Sequence, residues 1–143
     1  MKKPAKLVVD ANPILSALLG GAARRIFFGG EIHEFAVPDH VLKEVAAYLP
    51  ALARKLGQET AFLSYIFDLL PLTRYDAMSY RKFLSEAQAR IGNRDPKDVD
   101  VLALTLALEY PLWSNDRDFE WTGVKQFTTA QLLKVLFEKG SGE

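Results

Sequence analysis

The chain has no cysteine in its 143 residues. That excludes a disulfide framework, a thiolate metal site and a cysteine nucleophile. It has two histidines, too few for a histidine-built metal centre. Neither sign of charge predominates: 18 Lys and Arg stand against 18 Asp and Glu, a formal net charge of zero. Taken alone, this argues against binding nucleic acid through bulk positive charge. No apolar run reaches the roughly 18 residues that a membrane helix needs, so no membrane association is expected. The apolar run after Met1-Lys2-Lys3-Pro4 is broken at Asp10, unlike a secretory leader. There is no internal repeat and no low-complexity stretch. What remains is an ordinary globular composition, 49% hydrophobic and 25% charged. The length suits one domain over residues 1–143, and is enough to bury a core without cross-links. The expected location is the cytoplasm, and residues 138–143 read as a frayed tail.

Strand and helix signals alternate along the chain. Lys6-Leu7-Val8-Val9 reads as a strand, followed by Asn12 as a helix cap and Pro13 at the first helical position. That helix stops at Gly20-Gly21, and a second short one spans Ala22 to Phe28. Phe35-Ala36-Val37 is a second strand closed by Pro38, and Asp39 caps a helix carrying Val41, Leu42, Val45 and Ala46, which Pro50 should interrupt. Further helices are expected over Leu52–Leu70 and Asp76–Ile91, with Leu72-Thr73 as a short strand between them. Asp95-Pro96 opens an almost wholly apolar and therefore buried helix through Leu108. Strands at Pro111–Ser114 and Gly123–Phe127 follow, then a helix capped by Thr128 or Thr129 and ending at Phe137. This alternation predicts an α/β fold, with a central, mostly parallel sheet of four to five strands in a three-layer α/β/α sandwich.

In such sheets ligands bind beyond the carboxyl ends of the strands. Asp10 and Asp116 each end a strand, while Asp98 and Glu44 sit in early turns of helices that start at the same edge. Four acids from four segments are thus expected to converge. An isolated acid in any of these places is an ordinary cap or surface residue; the combination is what matters. Crowded carboxylates repel one another and rise in pKa, so a fold keeps them together when cations bind. Oxygen-only ligands select hard ions such as Mg²⁺ or Mn²⁺.

Four segments resemble motifs of the PIN-domain ribonucleases, the family of VapC-like toxins and other small prokaryotic PIN proteins. They are Leu7-Val8-Val9-Asp10-Ala11-Asn12-Pro13, Pro38-Asp39-His40-Val41-Leu42-Lys43-Glu44, Asp95-Pro96-Lys97-Asp98, and Pro111-Leu112-Trp113-Ser114-Asn115-Asp116-Arg117-Asp118. The resemblance spans Lys6 to about Phe137 and implies a ribonuclease dependent on one or two Mg²⁺ or Mn²⁺ ions. Asp10, Glu44, Asp98 and Asp116 would be the catalytic, metal-binding acids, Asp118 an auxiliary acid, and Asn12 and Ser114 would orient the carboxylates. Ser114 stands where the family more often has threonine, and it keeps the hydroxyl. Asp95 and Asp100 compete with Asp98 for the third place. Asp98 and Asp100 point roughly 200° apart on a helix, spacing favours Asp98, and Asp95 suits capping.

The resemblance further implies in-line attack by water, leaving 5′-phosphate and 3′-hydroxyl ends. Arg94, Lys97 and Arg117, which flank the motif acids, are the best candidates to hold RNA phosphates, ahead of Arg24, Arg25 and Lys43. Small PIN proteins are often the toxin of a type II toxin–antitoxin pair and commonly form homodimers. Tyr48, Phe62, Tyr65, Phe67 and Trp121 are accordingly candidates for an interface. Two other readings stand beside this one. One is a non-catalytic PIN-like module that binds RNA or a partner. The other is a haloacid-dehalogenase-like phosphohydrolase, which would need a second Asp where Asn12 stands. With the four acids set aside, 14 acids face 18 bases, so the zero net charge averages a negative pocket and a remainder of +4.

Overall fold

Leu7, Val8 and Val9 are all fully buried, so strand β1 (Lys6–Val9) is covered on both faces. In this computed structural model, which describes residues 2–138, β1 is the middle strand of five. The others are β2 (Glu34–Pro38), β3 (Leu72–Tyr75), β4 (Leu112–Trp113) and β5 (Gln126–Phe127), in the order β3-β2-β1-β4-β5, all parallel. The expected α/β architecture is therefore present, with every strand parallel. Residues 139–143 of the expected frayed tail lie outside the described residues.

The helices among the described residues are α1 (Ala11–Leu18), α2 (Ala23–Gly29), α3 (Asp39–Leu56), α4 (Thr60–Leu69), α5 (Leu84–Ile91), α6 (Val99–Leu108) and α7 (Thr129–Phe137). The apolar α6 packs directly on β1 and β2, with α5 against it. Helix α3 lies along β2 and β3, α1 packs on α2, α3 and α4, and α2 meets α7. The order in which strands are added reverses at β1: β2 and β3 lie on one side of it, β4 and β5 on the other. The crevice at that switch point is where an open α/β sheet offers a ligand site.

Several boundaries differ from the sequence reading. Asp10, not Asn12, caps α1: its Oδ1 accepts the Ala11 N–H at 2.8 Å, and Pro13 lies inside the first turn. Pro50 does not interrupt α3. Pro50 and Ala46 are both exposed, so water can satisfy the Ala46 carbonyl that proline cannot bond. The break comes at Gly57 instead, in the left-handed region at φ 65, and the N–H of Gln58 reaches back to the Ala53 carbonyl. The helix expected over Leu52–Leu70 is thus the end of α3 and all of α4. The helix expected over Asp76–Ile91 is two short 3₁₀ turns followed by α5. It breaks at Tyr80, a buried side chain whose hydroxyl donates to Asp100 Oδ2 at 2.6 Å. Between the two candidates for the last cap, Thr128 holds the place, in a reciprocal pair with Gln131.

Candidate metal centre

Asp10 directly follows β1. Its backbone N–H donates to the Trp113 carbonyl at 3.0 Å, which seats it in the crevice between β1 and β4. Both carboxylate oxygens are engaged: Oδ1 by the Ala11 N–H and Oδ2 by the Ser114 hydroxyl at 2.7 Å. The same Ser114 oxygen accepts the Asp116 N–H at 3.0 Å, and Asp116 Oδ1 accepts the Asp118 N–H at 2.9 Å. Gln126 on β5 clamps this loop by donating to the Ser114 and Asp116 carbonyls, each at 2.9 Å. Asp98 arrives from the other side, at the end of a 3₁₀ turn capped by Asp95, whose Oδ1 accepts the Lys97 N–H.

Carboxylate oxygens of Asp10, Asp98 and Asp116 lie within 4.8 Å of one another. Asp10 and Asp98 are each only 6% exposed. Asp98 Oδ2 is buried and has no hydrogen-bond partner among the described residues, a costly state for an anionic oxygen. Burial pushes the Asp10 carboxyl above its usual range, against the bonds from Ser114 and Ala11. Burial, and then the charges of Asp10, Asp95 and Asp116, push Asp98 up to about 8. Three negative groups facing inward, all oxygen donors with one oxygen orphaned, form a cluster able to hold a hard cation.

A consequence for stability follows. The folded pKa of Asp98 lies above its ordinary value of 3.8, so between those values the folded state binds more protons than the unfolded state. This group's contribution therefore makes the metal-free protein less stable as pH rises from about 4 to about 8. Asp98→Asn removes that burden. In chelator, it is expected to raise stability at pH 8 by on the order of 1–3 kcal/mol and by much less at pH 5. Thermal melts of both chains at the two pH values check this; an equal shift at both would contradict it.

The other expected site residues fall around this trio. Glu44 lines the same cleft of about 200 Å³, but its Oε1 lies 2.8 Å from His40 Nε2. The four expected acids are thus three together and one on the cleft wall. Asp100 faces away, toward Tyr80. Asn12 also lines the cleft, but among the described residues it makes no side-chain hydrogen bond to the acids. Asp118 sits 3.8 Å from Arg94, Arg117 pairs with Glu120, and Lys97 lies on the cleft wall. The less favoured bases are structurally occupied: Arg24 donates to the Ala17 carbonyl, Arg25 stacks on Phe137, and Lys43 pairs with Asp39. Sequence reasoning missed the His40–Glu44 pair, which its i, i+4 spacing on a helix signals. It also missed Asp95 as a further negative charge on the cluster and Gln126 as the loop clamp.

A PIN-domain family model matches residues 8–137. The chain belongs to the PIN-domain family. Its fold is also similar to a chain in the crystal structure of VapBC2 from Rickettsia felis bound to a DNA fragment from their promoter. That likeness has a TM-score of 0.68 at 12% identity and covers 86% of this chain and 98% of the other. No curated protein matches. The PIN-family match takes in every residue of the acid cluster. Among the described residues, no helix is long and apolar enough to cross a membrane.

Proposed function

We propose that this PIN-domain protein is a Mg²⁺- or Mn²⁺-dependent endoribonuclease and the toxin of a type II toxin–antitoxin pair. The observation that carries the reading is the trio of buried Asp10, buried Asp98 and half-buried Asp116, with its orphaned Asp98 oxygen, at the switch point of the sheet. These three would hold the ion directly. Glu44, on the wall of the same cleft, would complete the set, for one ion or two. When bound, the ion supplies charge neutralisation at the scissile phosphate and a lowered pKa for the attacking water.

The chain's own residues supply position. The Ser114 hydroxyl fixes the Asp10 carboxylate, and backbone N–H groups fix one oxygen each of Asp10 and Asp116, so the donors need no reorganisation. Asn12 faces the same cleft, and Asp118 stands behind Asp116 as the auxiliary acid. Lys97 on the cleft wall, with Arg94 beside Asp118 and Arg117 next to Asp116, would serve as phosphate contacts. The pairs Arg94–Asp118 and Arg117–Glu120 are exposed, hence weak, and an RNA phosphate can displace them.

The toxin reading draws on the family and on the likeness to a chain of VapBC2, which is bound to a DNA fragment from its promoter. It brings with it a cognate antitoxin and a cytoplasmic site of action. A homodimer is supported by α4, where Leu63 is the one buried residue and Phe62, Tyr65 and Leu69 are exposed.

The test is incubation of the purified chain with RNA in Mg²⁺, Mn²⁺ or chelator, alongside a metal titration of its melting temperature. Cleavage in metal alone, with 5′-phosphate ends, is expected, together with about 2.7 kcal/mol of stabilisation at a hundred times the dissociation constant. Neither cleavage nor metal-linked stabilisation would leave the non-catalytic module as the correct reading. For the toxin role, a small protein encoded beside this gene should co-purify with the chain and suppress cleavage.

A further inference from the structure

We propose that the groove between α1 and α3 is a nucleobase subsite, which seats one unpaired base of the RNA strand against Tyr48, next to the acid cluster. The proposal rests on the nuclease reading and adds to it a specificity-determining residue, Tyr48.

The groove has a volume of about 540 Å³, within the range of small-molecule sites. Ala11, Leu15, Glu44 and Lys97 line both the groove and the acid cleft, so a strand with a phosphate at the acids has its neighbouring nucleotide at the groove. The floor is apolar, formed by Ala11 and Leu15 of α1 and Val45 of α3. Tyr48 forms part of the wall and is 37% exposed. On α3 it lies one turn beyond Glu44 and two beyond His40, so all three share the stripe that faces the site.

Lys55 Nζ donates to the Tyr48 hydroxyl at 2.8 Å, and its ammonium lies 5.4 Å from the ring centroid. The ring is therefore held before any ligand arrives, which lowers the entropic cost of stacking. Lys55 and Lys97 form no ion pair with a carboxylate among the described residues. An aromatic wall, an apolar floor and two ammonium groups that pair with no carboxylate among the described residues match a base with its flanking phosphates, the composition of single-strand binding sites. A duplex keeps its bases stacked inside and cannot offer one.

The test uses the full chain in Mn²⁺ with single-stranded RNA oligonucleotides carrying 2-aminopurine at successive positions. In the wild type, emission is expected to be quenched at one position beside the cleaved bond. Tyr48→Ala should restore that emission and raise KM about tenfold, with the loss falling on KM rather than kcat. Tyr48→Phe, which keeps the ring but loses its bond to Lys55, should retain the quenching and raise KM far less than Tyr48→Ala. If the wild type cuts RNA and Tyr48→Ala keeps both its KM and its quenching, the subsite is overturned and the nuclease reading stands. A partner protein lost from Tyr48→Ala, with RNA unaffected, overturns it equally. If the wild type cuts nothing but still quenches one position through Tyr48, the nuclease reading fails and the base site stands.

Discussion

Asp10→Asn is expected to lower metal-dependent RNA cleavage by about a thousand-fold or more without harm to the fold. The substitution keeps shape and removes one charge. Asparagine Oδ1 can still accept the Ala11 N–H, so the cap of α1 survives. The lost anion lies within 4.8 Å of the oxygens of both Asp98 and Asp116. Several kcal/mol of charge stabilisation at the reacting phosphate depend on an ion held there, and each 1.36 kcal/mol is tenfold in rate. The metal-free stability should move the other way. The ionised Asp10 is disfavoured by burial and by Asp116 and Asp95, so its neutral replacement should melt no lower than the wild type in chelator. Cleavage rates at saturating Mn²⁺, with melts in chelator, read both effects. Cleavage at the wild-type rate would remove Asp10 from the site.

Trp113→Ala is expected to have the largest effect on stability, a loss of about 3–5 kcal/mol. Trp113 is the largest of the fully buried side chains and forms half of the two-residue strand β4. Its ring lies 4.8 Å from Phe27 of α2 and 5.9 Å from Phe35 of β2, so it joins the sheet to a helix layer. Its indole N–H donates to Thr129 Oγ1 at 3.0 Å, which ties β4 to the start of α7. Removing it leaves a cavity where three elements meet. Domains have about 5–15 kcal/mol in total, so this loss is a large share. Urea unfolding should show a lower midpoint with an unchanged slope. A midpoint equal to the wild type would mean that the aromatic cluster is not the joint between layers.

The parallel sheet and two of its site acids were legible in the sequence for one reason. Short β-branched strands alternating with helices force a parallel arrangement, and a parallel arrangement puts every strand's end at one edge. Asp10 and Asp116 follow from that alone. Helix geometry lets only one of Asp98 and Asp100 face the cluster, the spacing of the motifs favours Asp98, and the structure turns Asp100 to Tyr80. Glu44 was legible as a position but not as a contact, since one turn of helix also brings it His40. Helix ends were read least well. Pro50 carried a breaking signal that an exposed face neutralises, while Gly57 lay within apolar periodicity that hid it. At Tyr80 the break comes from a distant partner, Asp100, and no local pattern encodes that.

Asp10 and Ser114 are 104 residues apart along the chain, and Asp116 lies further still. A chain emerging from the ribosome holds Asp10 long before it holds the residues that must meet it. Pairing of β1 with β4 is a late, long-range event, and the cluster has no partial form that local folding can supply. A nascent chain therefore carries no assembled acid cluster until the segment through Asp116 is out and β4 has docked on β1.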